Sequence, residues 1–343
     1  PVRQQYPWRE LAISQIKKFE MPVWNPYSFS GSPLLANFQS SPFYFLNMLF
    51  FIFPNPIAWS LLVFLGPLLG GTFLYLYLVN LRLNRISSIF GAIAFSLSGF
   101  FVAWMEWGTI THVALWLPLI LLSIDKIFTY SQILGNVKLK MKNEKLQLKT
   151  KKYLIWFIIF VLSLISSFFA GHLQTFFYVF VFTIIYFLIR WMQYGRMFDI
   201  LYVFLILNIL FLILTSIQWV PTFQFILLSA RGIDQVSFNN PGWFIPWQHL
   251  IQFIAPDFFG NPTTLNYWGA WNYAEQIIYI GIIPLLFAFL GIFIKYSKEN
   301  NVDSISYSML NLHRFCLSLT IVGLLFAVKN PIAEIPFKLN VPV

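Results

Sequence analysis

The chain has 343 residues, of which 58% are hydrophobic and 20% aromatic, while only 10% are charged. Because this number of charges is too small to solvate the surface of a soluble protein of this size, we expect a membrane protein. The net charge of +10 does not indicate a nucleic-acid partner, because the basic residues do not form a soluble face with interleaved aromatics. A single cysteine, Cys316, excludes an intramolecular disulfide and a cysteine-rich metal site.

The chain carries no initiator Met and no signal peptide, and its last residues, FKLNVPV, do not resemble a natural terminus. We therefore expect an internal piece of a longer protein, truncated at both ends. We also expect a membrane crossing upstream of Pro1, because the charge asymmetry of the later loops puts residue 1 outside the cell.

Residues 1–55 are predicted to form an extracytoplasmic loop with amphipathic interfacial helices. Apolar side chains recur at helical spacing over residues 8–19, whereas Arg9 and Glu10 fall on the other faces. Pro7 suits the first turn of this helix. The helix is expected to lie flat in the outer interface, although a simple amphipathic connector would show the same spacing.

The stretch PVWNPYSFSGSPLLANFQSSPFYFLN, residues 22–47, is uncharged and contains turn signals such as Asn25-Pro26. Residues 41–54 are too short to span a bilayer, which predicts a second interfacial or re-entrant segment. Polar backbone at lipid depth is tolerated only where protein or a water-filled cavity receives it. We therefore expect a cavity beneath this loop, with Asn25 and Gln39 as candidate substrate-binding residues.

Apolar windows with basic or turn-forming flanks predict an all-α polytopic helix bundle over residues 56–343. The windows are close to the roughly 20 residues that a helix needs to cross a bilayer core of about 30 Å. A long outer loop is predicted at 219–275. The eight predicted crossings are 56–80, 86–104, 110–127, 153–169, 173–192, 198–218, 276–295 and 313–328.

Strict alternation of these crossings places the basic connections on one face. That face carries fifteen Lys or Arg against five Asp or Glu. Arg190 is counted among these basic residues and Asp125 among these acids, and both are assigned to the connections on that face. The positive-inside rule makes this face cytoplasmic and puts the aromatic loops outside. The lysine-rich segment 138–152 is expected to touch anionic lipid headgroups.

Ionisable side chains near the outer ends of the crossings are functional candidates, because an unpartnered one would cost several kcal/mol to bury. Glu106 and His112 flank the second outer turn, and His172 and Gln174 begin the fifth crossing. A lone histidine is more often a hydrogen-bonded structural residue than a ligand. No two histidines have the i, i+4 spacing of a local metal motif, so we predict no metal site and no certain cofactor, and leave a divalent cation open.

The long loop is rich in aromatic residues and also carries Asp257 and Glu275. Aromatic faces beside amides and carboxylates hold sugar rings, but anchoring at the membrane interface explains the same tryptophans. No P-loop, dinucleotide-binding glycine pattern or nucleophile elbow occurs in the sequence. Nucleotide-driven transport and serine hydrolysis therefore have no support.

Several stretches taken together resemble the bacterial YfhO family of multi-pass membrane proteins. In chain order they are YPWRE, PVWNPYSFSGSPLLANFQSSPFYFLN, HVALWLPLILLSIDKI, AGHLQTFFYVF, APDFFGN and YAEQIIYIGIIPLL, from about Tyr6 to Leu286. That family is similar in design to the GT-C glycosyltransferases. The resemblance implies a GT-C-like fold and transfer of a sugar from a polyprenyl-phosphate carrier to a glycan or lipid acceptor on the outer face of the bacterial plasma membrane.

In such enzymes an acidic residue of the first outer loop serves as general base. Its counterpart ahead of the Tyr-Pro-Trp-Arg segment is not found after Pro1 and is expected upstream, which leaves Glu10 as the nearest catalytic candidate. The leaving phosphate calls for cationic donors, and a guanidinium binds phosphate oxygens as a fork. The candidate donors are Arg3, Arg9 and Arg231, and the candidate sugar or acceptor contacts are Glu106, His172, Gln174, Asp257 and Glu275.

Two other classes use the same kind of cavity without a base: a transporter or flippase for lipid-linked cell-envelope glycans, and an assembly protein. A transporter should show charged residues deep within its crossings. Mid-span positions here are mostly Leu, Ile, Phe and Val, which favours the enzyme.

Overall fold

The computed structural model describes residues 3–137, 143–229, 244–293 and 304–335, without the side chains of 135–149 and 304–315. Arg231 and the first five residues of the lysine-rich segment, 138–142, lie outside the described residues. The chain forms two units, residues 1–96 with 104–232 and residues 97–103 with 233–343.

The described residues are mostly helical, which confirms the all-α prediction. One antiparallel pair of short strands joins Trp24–Asn25 to Ser32–Pro33. The helices are α1 (Gln5–Lys17), α2 (Leu49–Ile52), α3 (Asn55–Asn80), α4 (Arg85–Ser96), α5 (Gly99–Trp104), α6 (Ile110–Ala114), α7 (Leu117–Val137), α8 (Asn143–Phe169), α9 (Leu173–Gln193), α10 (Phe198–Leu228), α11 (Tyr273–Gln276), α12 (Ile282–Phe293) and α13 (Ser304–Ala327), with 3₁₀ turns at Phe45–Met48, Met105–Trp107, Trp247–Phe253 and Pro262–Thr264.

Five stretches among the described residues are long and apolar enough to cross a membrane, and a sixth joins them if Arg85–Ser96 and Gly99–Trp107 count as one broken span. They correspond to the first six predicted crossings. The seventh and eighth correspond to shorter apolar helices, Ile282–Phe293 and Cys316–Ala327. That these two also cross the membrane stays a prediction.

Helix α10 extends ten residues beyond its predicted end at 218 and passes through Pro221. A proline removes one helical hydrogen bond, but in an apolar setting the neighbouring backbone groups have no better partner than the helix itself. The long loop therefore begins at Ser229. The predicted crossing 110–127 is interrupted at Leu115 and Trp116, because Pro118 cannot donate to the preceding turn.

Helix α1 begins two residues before Pro7, which occupies the third helical position. A proline is tolerated there because the first four N–H groups of a helix have no intrahelical partner. The face of α1 that packs on the protein consists of Gln5, Arg9, Ala12 and Ile13. The predicted orientation, which left Arg9 on a face away from the apolar stripe, is wrong.

Aromatic side chains fill the space between α8, α9 and α10. Phe168 meets Phe176 edge to face at 5.0 Å and Phe211 at 5.7 Å, and Phe187 stacks on Phe204 with ring centroids 3.7 Å apart. Aromatic pairs of this kind contribute roughly 0.5–1.5 kcal/mol beyond their buried area. This core fixes the three helices against one another.

A buried ion pair ties α7 to α9. Arg190 Nε lies 2.8 Å from Asp125 Oδ1, and Arg190 Nη2 donates to Asp125 Oδ2 at 3.0 Å. The Tyr186 hydroxyl also donates to Asp125 Oδ1 at 2.8 Å, and the Tyr77 hydroxyl of α3 donates to Tyr186 at 2.8 Å. Asn80 Nδ2 also donates to Asp125 Oδ2 at 3.3 Å.

Sequence analysis assigned Asp125 and Arg190 to cytoplasmic connections, but both belong to long apolar helices and both are buried. Arg190 Nη1 also donates to Gln193 at 3.0 Å, so the guanidinium is well supplied with acceptors. A transporter cargo would find few hydrogen-bonding positions left on this pair. We interpret it as a structural clamp across three helices.

Removing either charge leaves the other buried and unpaired, which typically costs about 3–5 kcal/mol. We therefore expect Asp125→Asn and Arg190→Met each to lower the free energy of unfolding by that amount, and the double variant by less than the sum. Unfolding in detergent, followed by tryptophan fluorescence, measures the change. Asp199→Asn removes an exposed carboxylate from the first turn of α10 and serves as the control. An equal effect in the control would contradict the clamp.

Candidate functional site

Arg9 is only 1% exposed, and no carboxylate among the described residues pairs with it. Its Nη2 donates to the Gly108 carbonyl, and its guanidinium lies over the Trp59 ring at 5.1 Å. Its Nε and Nη1 are buried without any hydrogen-bond partner. Buried polar groups are nearly always paired, so these nitrogens indicate a place for an acceptor that the protein does not supply.

The charge of Arg9 persists despite its burial. Desolvation lowers the pKa of Arg9 to about 10, with the nearby Tyr44 opposing this effect. The group therefore stays a cation at pH 7. A buried cation without a counter-ion favours binding of an anion, because the anion restores the stabilisation that water gave in the unfolded chain.

Gly108 permits the close approach of Arg9. This glycine adopts φ +61 at the end of the Met105–Trp107 turn. A Cβ at position 108 would lie 2.9 Å from Arg9 Nη1 and 3.0 Å from Leu62 Cδ2. Only glycine therefore suits both the left-handed backbone and the space beside the guanidinium.

Tyr44 and His112 form a buried pair near Arg9. His112 Nε2 lies 3.0 Å from the Leu62 carbonyl, which can only accept, so Nε2 carries the proton. His112 Nδ1 then accepts from the Tyr44 hydroxyl at 2.9 Å. Both ring nitrogens are thus used within the protein, so neither is free for a metal or a substrate. Burial raises the pKa of Tyr44, which stays a neutral phenol.

Residues 34–47 form a segment that lies across the ends of several helices; we call it the capping segment. Its Ser41 hydroxyl donates to the Ala170 carbonyl at 3.0 Å, and its Leu35 carbonyl accepts from Gln218 of α10. Phe38 packs edge-on against Phe168 at 4.9 Å. Together with the Tyr44 contact, these bonds fix the segment to α6, α8 and α10 at one end of the bundle, the end predicted to face outward.

Three other charged candidates, Arg3, Glu10 and Glu106, do not join Arg9 in the interior. Arg3 is exposed, and so is Glu106 on the 3₁₀ turn before Gly108. Glu10 follows Arg9 on α1 but is exposed, and its Oε1 accepts from Asn55 Nδ2 at 2.9 Å. The structure therefore brings Arg9 alone among these residues into the interior.

Asn25 and Gln39 make structural bonds around the capping segment. Asn25 is buried and satisfied on both sides, since its amide donates to Ser28 Oγ at 3.0 Å and accepts from the Tyr27 N–H at 2.9 Å. Gln39 is half-buried, and its Oε1 accepts from Gln5 Nε2 at 3.1 Å. Gln5 lies one turn before Arg9 on α1, so Gln39 borders the Arg9 face.

His172 and Gln174 lie at the start of α9. His172 is the residue that caps this helix, because its Nδ1 accepts from the Thr175 N–H at 3.2 Å and contacts the Thr175 hydroxyl at 2.8 Å. Gln174 is exposed and donates to the Tyr178 hydroxyl at 3.2 Å. A capping role accounts for the position of His172 without a substrate.

Asp257 and Glu275 belong to the second unit, and both are exposed. Asp257 Oδ1 accepts from Asn261 Nδ2 at 3.0 Å and from the Tyr273 hydroxyl at 2.9 Å. Partial burial, and to a smaller extent the hydrogen bond to Asp257, raises the pKa of Tyr273 to about 12. Glu275 lies in the first turn of α11, where Asn272 caps its N–H at 2.9 Å.

His249 of the second unit stacks on Phe259 with ring centroids 4.1 Å apart. Its Nδ1 lies 3.1 Å from Gln252 Oε1, and its Nε2 accepts from the Ala270 N–H at 3.2 Å. Both nitrogens are therefore used. Within the described residues, no three His, Cys, Asp or Glu side chains come together as metal ligands would.

Sequence analysis missed three buried amides near the capping segment: Gln5, Asn47 and Gln218. Each is less than 5% exposed, and each has an amide oxygen without a partner. Gln218 stands alone in the apolar stretch LTSIQWV, and Asn47 in FLNMLFF. A lone amide among mostly apolar neighbours was the signal that could have indicated Asn47 and Gln218. Gln5, which follows Arg3 and Gln4, carries no such signal.

Substitution of Gly108 tests the packing around Arg9. We expect Gly108→Ala to be more destabilising than Gly195→Ala, because Gly195 has φ +85 but nothing within 4 Å of an added Cβ. Both variants lose the left-handed freedom of glycine, at roughly 1–2 kcal/mol, but only the first displaces a buried cation. Thermal unfolding midpoints in detergent measure the difference. Equal midpoints would show that Arg9 moves aside without cost.

A scan against protein-family models found no match for this chain, and searches of curated proteins and of solved structures found none either.

Proposed function

We propose that this chain belongs to a membrane glycosyltransferase that moves a sugar from a polyprenyl-phosphate carrier to a glycan or lipid acceptor on the outer face of the plasma membrane. The observation that carries the proposal is Arg9, a buried guanidinium with two unpartnered nitrogens. A phosphate oxygen is the acceptor that a guanidinium binds best, because the charge and the fork geometry both match.

The chemistry of glycosyl transfer fits such a cation. Displacing a phosphate-linked carrier at the anomeric carbon builds negative charge on the leaving phosphate and positive charge on the sugar ring. A fixed cation in a dry site stabilises that departing charge without reorganisation. A carboxylate base must also activate the acceptor hydroxyl; Glu10 is the candidate in this chain, but its side chain is exposed and does not share the buried surroundings of Arg9.

Three further points support the proposal. The long apolar helices provide the lipid setting that a polyprenyl carrier requires. The resemblance to the YfhO family, with a GT-C-like bundle of about eight crossings, implies the same reaction and remains part of the proposal. The capping segment, which fits the role of a jaw over the site, is held at the same end of the bundle as Arg9.

No contact among the described residues specifically favours the transporter, flippase or assembly alternatives. The buried ion pair Asp125–Arg190 is the kind of intramembrane charge a transporter uses, but its hydrogen-bonding positions are taken up by Tyr186, Asn80 and Gln193. Arg9, in contrast, has nitrogens to offer a ligand.

The phosphate contact is tested by binding of polyprenyl phosphate to the purified protein in nanodiscs. We expect Arg9→Met to weaken binding by about 10- to 100-fold, since hydrogen bonds to charged groups contribute about 1.5–3 kcal/mol. Arg9→Lys should lose less affinity, because lysine keeps the positive charge but cannot form the two parallel hydrogen bonds of a guanidinium. Arg85→Met removes an exposed arginine from the start of α4 and is the control. Unchanged binding by Arg9→Met would remove the basis of the proposal.

Transfer itself is tested by release of polyprenyl phosphate from a sugar-bearing carrier in proteoliposomes. We expect release by the wild-type protein and a strong decrease in Arg9→Met. Movement of a labelled carrier between leaflets, without release, would instead identify a flippase. Sugar analysis of envelope polymers in cells with the wild-type or the Arg9→Met gene extends the test to the natural acceptor.

A further inference from the structure

Three buried amides beside the capping segment share one pattern. Gln5 Nε2 donates to Gln39 Oε1, Asn47 Nδ2 donates to the Ser41 carbonyl, and Gln218 Nε2 donates to the Leu35 carbonyl. Each amide thus binds residues 35–41 through its nitrogen, and in each the oxygen is buried without a donor.

The orientation of the amides is set by their partners. A backbone carbonyl can only accept, so the nitrogens of Asn47 and Gln218 must face Ser41 and Leu35, and the oxygens must face elsewhere. Gln15 and Asn208 also have unpartnered amide oxygens, but they donate to Trp24 and to Phe204. The three amides are distinguished because all of them bond residues 35–41: Gln5 from α1, Gln218 from α10, and Asn47 from the end of the capping segment itself.

The amides bond a short stretch of backbone. Phe38 N–H bonds the Leu35 carbonyl at 3.3 Å and Ser41 N–H bonds the Phe38 carbonyl at 3.2 Å, which makes two successive turns. A turn keeps its first and fourth Cα atoms within about 7 Å, so the Cα atoms of Leu35 and Ser41, whose carbonyls bond Gln218 and Asn47, are at most about 14 Å apart.

Three unpartnered acceptors call for hydrogen-bond donors. A metal cation is disfavoured, because Arg9 follows Gln5 by one helical turn and places a positive charge on the same face of α1. Hydroxyl groups are neutral donors and suit carbonyl oxygens. Within the described residues, the face of α1 that carries Gln5 also carries Arg9, a cation without an anion, and the amides at the capping segment are acceptors without donors. A glycosyl phosphate carries both missing groups.

We infer that Gln5, Asn47 and Gln218 recognise the sugar of the donor by accepting hydrogen bonds from its hydroxyl groups, an inference that rests on the proposed function, in which Arg9 binds the phosphate. Thr222, four residues after Gln218 on α10, adds an unpartnered buried hydroxyl on the same helix face. The capping segment holds the three amides in register, so the sugar is selected by groups that are fixed before it binds.

The experiment measures affinity of the wild-type chain in nanodiscs for polyprenyl phosphate alone and for the same lipid bearing glucose, N-acetylglucosamine or galactose. We expect at least one sugar to increase affinity about tenfold or more, and a deoxy form of that sugar to lose about tenfold for each hydroxyl that an amide accepts. Because these measurements use unaltered protein, a failure of variants to fold does not affect them.

Variants assign the effect to the amides. Gln5→Met, Asn47→Leu and Gln218→Met should each reduce the gain that the sugar provides by about tenfold and leave binding of bare polyprenyl phosphate unchanged. Gln252→Met is the matched control, because Gln252 is a buried amide of the second unit whose nitrogen bonds Pro256 and whose oxygen bonds His249. Gln252→Met should leave unchanged the increase in affinity that the sugar provides.

Two results overturn the inference. Either no sugar increases the affinity of the wild-type protein, or the amide variants weaken the bare and sugar-bearing lipids equally, which would indicate a structural role. Failure of the proposed function looks different, since there Arg9→Met would leave the affinity for bare polyprenyl phosphate intact. The phosphate and sugar claims are therefore decided by separate measurements.

Discussion

A guanidinium buried in a helix bundle must be matched by acceptors, because desolvation of an unpaired charge costs several kcal/mol in the protein interior. The first unit contains two such arginines and treats them differently. Arg190 is surrounded by Asp125, Tyr186 and Gln193, whereas Arg9 has one backbone carbonyl and an indole face. The first arrangement contributes to the fold, and the second leaves free energy available for binding an anion.

The two arginines also lie at opposite ends of the long helices. The Arg190 cluster joins the ends of α3 and α9 to α7, while Arg9 packs beside Gly108, just before α6 begins. The capping segment then crosses the Arg9 end and bonds to α8 and α10. Glycine at 108 and at 171 allows these approaches, since a Cβ at 171 would overlap the Ser41 hydroxyl. The clamp at one end holds the helices that position the open site at the other.

The proposed phosphate and sugar contacts account for two separate imbalances in hydrogen bonding. Among the described residues, two guanidinium nitrogens of Arg9 lack acceptors, and the amide oxygens of Gln5, Asn47 and Gln218 lack donors. The orientation of Asn47 and Gln218 is fixed, because the Ser41 and Leu35 carbonyls that they bond can only accept. A single ligand with an anionic phosphate at one end and hydroxyl groups at the other would supply both the missing acceptors and the missing donors.

Much of the fold could be predicted because membrane character depends on composition and on the length of apolar runs, which are local properties. The all-α class and five long apolar stretches, or six if the bent pair is one span, follow from such patterns, whereas Arg9 was assigned to the wrong face of α1. The predicted helix boundaries were wrong where tertiary context overrode a local signal. At Pro221, for example, α10 continues because its backbone groups have no other hydrogen-bond partner in an apolar setting. The candidate list also included residues with polar side chains at helix ends, such as His172 and Asn25, which the fold uses as caps and turns.

By itself, therefore, the sequence determined that the chain is helical and suited to a bilayer, since hydrophobicity sums over neighbours in the chain. Only the tertiary structure decided which polar groups remain without partners. That property depends on pairs far apart in sequence, such as Arg9 with Gly108 and Gln218 with Leu35, which are 99 and 183 residues apart. No local pattern records whether the partner of a buried nitrogen or oxygen is supplied by the protein or left to a ligand.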